Sequence, residues 1–143
     1  MSNRVLIVDD EPANVELLKA YLVDVGDDLH GLTDSRQVEH AFKEFEPDIV
    51  LLDLHMPNLD GLEVLRRLRS ARESLGYLPV VVLTGDTTNV ARNAALILGA
   101  DDFLTKPLDR QEVILRVRNL LRTRHFFKEV TRVTGSMPKV DRP

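Results

Sequence analysis

The segment VLIVDDEP, residues 5–12, places four branched apolar residues directly before three carboxylates and a proline. A similar design recurs as IVLLD at residues 49–53 and as VVVLTG at residues 80–85. Short apolar runs without polar alternation are typical of β-strands that are covered on both faces of a sheet. The three segments therefore predict buried parallel strands, each followed at once by polar groups.

Helical patterns lie between these strands. Five helices are predicted, over residues 12–25, 35–44, 62–72, 88–98 and 109–124. Two weaker strands are predicted, an edge strand at residues 28–32 and a further strand at residues 102–104. Alternating strands and helices predict an α/β doubly wound parallel sheet, and right-handed crossovers place helices on both of its faces.

The composition is that of one ordinary globular domain. The chain has 143 residues, of which 43% are hydrophobic and 29% are charged. The absence of cysteine excludes disulfides, thiolate zinc sites and cysteine nucleophiles. The apolar runs are too short to span a bilayer and the first residues do not form a signal peptide, so we expect a cytoplasmic protein without membrane contact.

The net charge of −4 combines two unlike parts. Residues 1–108 contain 10 Lys/Arg and 19 Asp/Glu, whereas residues 109–143 contain 9 Lys/Arg and 4 Asp/Glu. An acidic body and a basic end need separate explanations. The basic end is too small to predict nucleic-acid binding, and no helix-turn-helix fits within it, so we expect no nucleic-acid partner for this chain.

Polar groups follow four of the five predicted strands at the same end. Asp9 and Asp10 follow the first strand, Asp53 the third, Thr84 the fourth and Lys106 the fifth. Because the carboxyl ends of parallel strands share one edge, we expect these groups to converge. Clustered carboxylates repel one another, and a hard divalent cation such as Mg²⁺ is the usual neutralising partner.

Each of these residues also has an ordinary structural explanation. Asp9 and Asp10 could cap the first helix, and Asp53 could end a strand in a turn. The combination favours chemistry, because every group falls independently at the carboxyl end of a strand. Asp53 beside Mg²⁺ and a lysine is a carboxylate nucleophile for phosphoryl transfer, and Thr84 and Lys106 are suited to hold the phosphoryl oxygens.

Four segments together resemble one known family. They are VLIVDDEP (5–12), DIVLLDLHMP (48–57) followed by Asp60 and Gly61, VLTG (82–85) and GADDFLTKP (99–107). In these segments the chain resembles the receiver domain of two-component response regulators, over residues 4–122. The resemblance implies a flavodoxin-like, CheY-like fold of five parallel strands in the order 2-1-3-4-5, with five helices.

The resemblance assigns roles in metal binding and phosphorylation. Asp53 would be the phosphoacceptor. Asp10 would bind Mg²⁺ directly, Asp9 would bind it mostly through water, and the backbone carbonyl of His55 would complete the protein ligands. The phosphoryl group would come from a histidine of a histidine kinase or a phosphotransfer protein. The receiver would supply the catalytic groups for its own phosphorylation and would not otherwise be an enzyme.

The resemblance also implies a switch. Thr84 and Lys106 would grip the phosphoryl group, and the peptide bond between Lys106 and Pro107 would be cis. Phe103 would turn inward as Thr84 moves towards the phosphate, which would reshape the face of helix 4, strand 5 and helix 5. The position of Asp86, two residues past Thr84, would affect hydrolysis of the phosphoryl group.

The last helix carries arginines opposite its apolar stripe and continues into further apolar residues. Phe126 and Phe127 are adjacent and cannot both lie on one narrow stripe, which predicts a partner for the extension. We therefore divide the chain into a receiver domain, residues 1–124, and a helix extension with a disordered tail or linker, residues 125–143. Candidate homodimer surfaces are this extension and the face of helix 4, strand 5 and helix 5.

Three alternatives stay open from the sequence. A haloacid-dehalogenase-type phosphatase also combines an Asp nucleophile, a Thr and a Lys around Mg²⁺, but it has a second Asp two residues after the nucleophile, where His55 stands here. The segment RNLLRTR, residues 118–124, weakly resembles the signalling helix that joins receivers to cyclic-di-GMP enzymes. The chain could therefore be the first part of such a regulator. A separate alternative is a structural or adaptor module that has lost phosphorylation, but the complete set of acids, Thr84 and Lys106 counts against it.

Overall fold

A computed structural model describes residues 3–56, 60–72, 77–85 and 89–134, in which five strands alternate with five α-helices. The strands are β1 (Arg4–Val8), β2 (Asp28–Leu32), β3 (Ile49–Asp53), β4 (Val80–Thr84) and β5 (Asp102–Thr105). The helices are α1 (Pro12–Tyr21), α2 (Val38–Phe45), α3 (Gly61–Arg72), α4 (Asn89–Ile97) and α5 (Arg110–Thr134), and a 3-10 turn (Ser35–Gln37) precedes α2.

The sheet is parallel throughout, with the order β2-β1-β3-β4-β5. This confirms the predicted fold, and β2 is an edge strand as expected. The strand register pairs Val8 with Leu52 and Asp53 with Leu83. The residues that end or follow β1, β3 and β4 therefore meet at one edge of the sheet, near the switch point between β1 and β3 where ligands bind in open α/β folds.

Alternate residues of the central strands pack on opposite faces of the sheet. Leu6 and Val50 belong to an apolar cluster with side chains of α2 and α3, whereas Ile7 and Leu51 belong to one with side chains of α1 and α5. Residues 5–8 and 49–52 have no exposed surface. This two-sided burial explains why their sequences lack polar alternation.

The end of α1 and the start of α2 differ from the sequence prediction. The first helix ends at Tyr21 rather than near Val25, because the backbone of Leu22 leaves the helical conformation, with φ −102° and ψ 9°. The N–H groups of Val25 and Gly26 then both donate to the carbonyl of Leu22, at 2.9 Å each, and form a turn. The second helix begins as the 3-10 turn, which the side chain of Asp34 caps. Strands β3 and β4 extend one residue further than predicted, so Asp53 and Thr84 are strand residues.

The predicted extension of the last helix is helical as far as Thr134. It runs along the edge of the sheet where the strands begin. Phe127 stacks on Tyr77 with the ring centroids 4.8 Å apart, and His125 Nε2 lies 2.7 Å from Asn3 Oδ1. Residues 135–143, predicted to be disordered, lie outside the described part of the chain. Within the described ranges, no helix is both long and apolar enough to cross a membrane.

Asp48, the residue before β3, anchors this extension. Its carboxylate is buried, and Oδ1 accepts hydrogen bonds from Arg124 Nε at 3.0 Å and Lys128 Nζ at 2.9 Å. Oδ2 accepts from the backbone N–H of Arg4 at 2.8 Å. Burial opposes the charged form, yet these donors hold the pKa of Asp48 below its usual value. The extension is therefore attached to the domain by charge as well as by apolar packing.

The two adjacent aromatic residues of the extension differ in exposure. Phe127 packs on Tyr77 within the domain, whereas Phe126 has 64% of its surface exposed. Val133 is exposed to a similar degree, at 70%. If the extension binds a partner, as the sequence predicts, we expect the contact on the side that carries Phe126 and Val133.

Candidate functional site

The first two carboxylates of the site follow β1 directly. The N–H of Asp9 donates to the carbonyl of Leu32 on β2 at 3.0 Å, which fixes the backbone as it leaves the sheet. Asp9 is fully buried, and its Oδ1 accepts from the N–H of Glu11 at 3.0 Å. Asp10 is half-buried. Pro12 then starts α1, because its fixed φ suits the first helical turn.

The third carboxylate, Asp53, is the last residue of β3. It is buried, with 1% of its surface exposed, and its Oδ1 accepts from the N–H of His55 at 3.1 Å. The N–H of Leu54 donates to the carbonyl of Leu83 at 3.1 Å, which extends the contact between β3 and β4 past the strand end. The carboxylate is therefore held by the strand behind it and the loop in front of it.

Lys106 contacts two of the acids, Asp9 after β1 and Asp53 at the end of β3. Its Nζ lies 3.1 Å from Asp9 Oδ2 and 3.3 Å from Asp53 Oδ2. The backbone N–H of Lys106 donates to the carbonyl of Thr84 at 2.9 Å, which fixes the residue after β5 beside β4. The peptide bond between Lys106 and Pro107 is cis, as the resemblance implies.

The charges of the site are unbalanced. Burial raises the pKa of Asp53 to about 6; the N–H of His55 and the ammonium of Lys106 oppose this rise, and the charge of Asp9 adds to it. Burial also opposes the charged form of Lys106, but the hydrogen bond to Asp9 and the charge of Asp53 raise the pKa of Lys106. Lys106 thus pairs with two carboxylates, Asp9 and Asp53, and a third, Asp10, lies beside them.

The donor set at this edge fits a hard cation. One carboxylate oxygen from each of Asp9, Asp10 and Asp53 can be chosen such that all three lie within 4.8 Å of one another. Oxygen ligands of this kind suit Mg²⁺, and a divalent cation would balance the excess negative charge. The side chain of His55 is exposed, and its carbonyl stays a predicted ligand.

The residues of the predicted switch lie on neighbouring strands. Thr84 ends β4, is buried and pairs with Thr105 of β5. Phe103 pairs with Val82 and is partly buried against the apolar cluster that contains Val82. The guanidinium carbon of Arg92 on α4 lies 5.7 Å from the ring centroid of Phe103, a distance that permits a cation–π contact.

The structure adds one side chain that sequence reasoning missed. Asn14 Nδ2, in the first turn of α1, donates to Asp9 Oδ2 at 3.3 Å. A polar residue on the first helical turn after an acid pair is the signal that could have found it. Asp86, which the resemblance places beside the site, lies outside the described residues.

A close backbone contact behind Asp53 requires glycine. A Cβ at Gly61 would lie 2.5 Å from the carbonyl oxygen of Asp53 and 2.5 Å from Cα of Leu54. We expect Gly61→Ala to destabilise the domain by about 1–3 kcal/mol, because backbone atoms must shift. Urea unfolding measures this change.

The control for this prediction is Gly85→Ala. Among the described residues that are not its chain neighbours, none has an atom within 4 Å of a Cβ at Gly85, so the free energy of unfolding of this variant should change little. Equal losses in the two variants would contradict the steric explanation.

Most of the chain is similar to known proteins. The family described as the response regulator receiver domain matches residues 5–118. Over 119 residues, the chain is 42% identical to the transcriptional regulatory protein TrcR of Mycobacterium tuberculosis, and the match covers 83% of this chain and 45% of that protein. The chain therefore spans less than half the length of this curated relative.

Solved structures of receiver domains are similar across most of the chain. The receiver domain of the Francisella response regulator 1452 is 28% identical, with a TM-score of 0.76, over 85% of this chain and 98% of that one. The signal receiver domain of an HD domain-containing protein from Pseudomonas fluorescens is also 28% identical, with a TM-score of 0.80, over 90% of this chain and 93% of that one. With the family match, the doubly wound sheet and the acids at its carboxyl edge, the chain belongs to the response regulator receiver domains of two-component signalling systems.

Proposed function

We propose that this chain accepts a phosphoryl group on Asp53 and converts it into a change of the face formed by α4, β5 and α5. The observation that carries the proposal is the position of Lys106, whose Nζ lies within 3.3 Å of both Asp9 and Asp53. A structural ion pair would need only one buried acid. Two buried acids with one lysine, beside Asp10, instead form a site with capacity for a cation and an anionic group.

The chemistry follows from the residues that surround Asp53. One of its carboxylate oxygens attacks the phosphorus atom of a phosphorylated histidine; the new O–P bond forms as the N–P bond breaks, and the imidazole keeps the electron pair. Lys106 is near enough to donate to a phosphoryl oxygen, and Thr84 ends the neighbouring strand. Mg²⁺, bound by Asp9, Asp10 and Asp53, would supply charge that stabilises the phosphoryl oxygens.

The donor is proposed to be a histidine kinase or a histidine phosphotransfer protein. Phosphorylation adds about −1.5 to −2 charge units and three acceptor oxygens to this edge of the sheet. The Thr84 hydroxyl and the Phe103 ring are the groups we expect to move in response. Phe103 contacts α4 through Arg92, so its movement would reach the face of α4, β5 and α5.

The same face is one candidate for contact with a second copy of the chain or with an output partner. Arg116 of α5 pairs with Asp102 of β5 at 2.9 Å, and α4 exposes Val90 and Ile97, each with 80% of its surface accessible. The α5 extension is the second candidate, through Phe126 and Val133.

The number of phosphoryl groups that each chain turns over distinguishes a receiver from the alternative, a phosphatase of the haloacid-dehalogenase type. We expect acetyl phosphate or carbamoyl phosphate to label each chain with one phosphoryl group in the presence of Mg²⁺, with slow loss afterwards. EDTA should reduce the labelling rate at least tenfold, because Asp53 would then lack the compensating charge. Phosphate release and mass spectrometry measure the two quantities. Sustained multiple-turnover hydrolysis of p-nitrophenyl phosphate would favour the phosphatase instead.

A further inference from the structure

Asn14 donates a hydrogen bond to one acid of the cluster, Asp9. Asp9 Oδ1 is used by the backbone N–H of Glu11 at 3.0 Å. Asp9 Oδ2 lies 3.1 Å from Lys106 Nζ and accepts from Asn14 Nδ2 at 3.3 Å. The amide of Asn14 is thus an uncharged side-chain donor to an acid of the site.

The backbone fixes Asn14 in this position. Pro12 begins α1, and the N–H of Asn14 donates to the carbonyl of Glu11 at 3.0 Å, which closes the first turn. Side chains in a helix point back towards its N-terminus, so a residue in the first turn reaches over the chain that precedes it. Here that chain carries Asp9, and Asn14 is half-buried above it.

We propose that Asn14 is a positioning residue that orients the Asp9 carboxylate for the metal and keeps it oriented when Lys106 moves away. The inference rests on the proposed function, in which Lys106 donates to a phosphoryl oxygen, and we expect the ammonium to leave Asp9 for that oxygen. Asp9 Oδ2 then loses its charged partner. The Asn14 amide does not titrate and is fixed by the helix, so it stays as the remaining donor.

The expected effect lies in metal affinity more than in stability. Groups that hydrogen-bond a metal-binding carboxylate contribute about 10- to 100-fold to metal affinity. We expect Asn14→Ala to weaken Mg²⁺ binding at least tenfold, because Asp9 Oδ2 then loses its donor from α1 and keeps only the flexible Lys106 side chain as a partner. Asn14→Gln retains an amide and should lose less affinity than Asn14→Ala.

The test is a Mg²⁺ titration of the full chain, followed by the backbone amide NMR signals of Asp10, Glu11 and Leu54. Asn119→Ala is the control, since Asn119 is an exposed asparagine of α5 and receives the same substitution. Its Mg²⁺ affinity and its melting temperature should match those of the wild-type chain. Mg²⁺ affinity of Asn14→Ala within twofold of the wild type overturns the proposal.

Labelling by acetyl phosphate separates this inference from the proposed function. Asn14→Ala should need a higher Mg²⁺ concentration for half-maximal labelling and should approach the wild-type rate at saturating Mg²⁺. A lower maximal rate with an unchanged Mg²⁺ requirement contradicts the positioning role. If the wild-type chain binds Mg²⁺ and is never labelled, the proposed function fails, whereas the loss of Mg²⁺ affinity in Asn14→Ala still decides the role of Asn14.

Discussion

Replacing Asp53 with asparagine is expected to reduce labelling by acetyl phosphate or carbamoyl phosphate to background. The amide keeps the shape of the side chain but lacks a carboxylate oxygen that can form the acyl phosphate. Mass spectrometry of the intact chain, with Mg²⁺ present, measures the loss. Asp28→Asn is the control, because it makes the same change at an exposed carboxylate where β2 begins. Labelling of Asp53→Asn at the wild-type rate would falsify the assignment of the phosphoacceptor.

The same substitution has a consequence for stability with a definite pH dependence. The folded protein raises the pKa of Asp53 from 3.8 to about 6, so the folded state binds a proton more tightly than the unfolded chain does. The free energy of unfolding should therefore decrease as the pH rises from about 4 to about 6, and stay lower above that range. Two pKa units correspond to about 2–3 kcal/mol.

Without Mg²⁺ at pH 7, Asp53→Asn should therefore be more stable than the wild type by about 2 kcal/mol. Urea unfolding at pH 4, 5, 6 and 7 tests the sign. Added Mg²⁺ should stabilise the wild type more than the variant, because it binds the folded acid cluster. Parallel pH profiles for the two proteins would show that the Asp53 charge is not destabilising.

The second large effect is expected at the opposite edge of the sheet. Asp48→Ala should reduce the free energy of unfolding by about 3 kcal/mol, because it removes the acceptor of two cations and of a backbone N–H. Arg124 is mostly buried and would keep its charge without this carboxylate. Urea unfolding measures the loss, and hydrogen exchange should increase along residues 124–134 of α5.

The control for this change is an exposed ion pair on the same helix. Glu129 pairs with Arg132, and both side chains are largely exposed. Glu129→Ala should leave the free energy of unfolding nearly unchanged, since solvent screens the pair. A similar loss in the two variants would contradict the anchoring role of Asp48.

The pKa of Asp48 is shifted in the opposite direction to that of Asp53, so its effect on stability changes with pH in the opposite sense. The pKa of Asp48 is lowered in the folded state, so its contribution is complete above the unfolded pKa of about 3.8. It is lost as the pH falls through the lower folded value. The wild type should therefore lose stability below about pH 4 by a component that is absent in Asp48→Ala.

The strands and the main site residues could be predicted because their signal is local in the sequence. Continuous apolar runs such as residues 5–8 and 49–52 specify strands buried on both faces, since polar alternation would place charges in a core. Parallel pairing then brings the groups after each strand to one edge. Asp9, Asp53 and Lys106 meet there as expected, at distances of 3.1 and 3.3 Å.

The helix ends were less predictable, because local hydrogen bonds decide them. The backbone of Leu22 is no longer helical, and a turn in which its carbonyl accepts two N–H groups follows α1 before the apolar pattern ends. In the other direction, α5 continues past its buried stripe to Thr134. Its continuation coincides with contacts to Asp48 and Tyr77, which are distant along the chain.

By itself, the sequence determined the doubly wound sheet, its edge strand and the identity of the acids at the carboxyl edge. Only the tertiary structure decided the partners of those acids and of the last helix. Asn14 reaches Asp9 because a helix turn folds back over it, and Arg124 reaches Asp48 although 76 residues separate them. Hydrophobic periodicity reports which face of an element is buried, whereas hydrogen bonds and ion pairs depend on distances that the packed chain alone fixes.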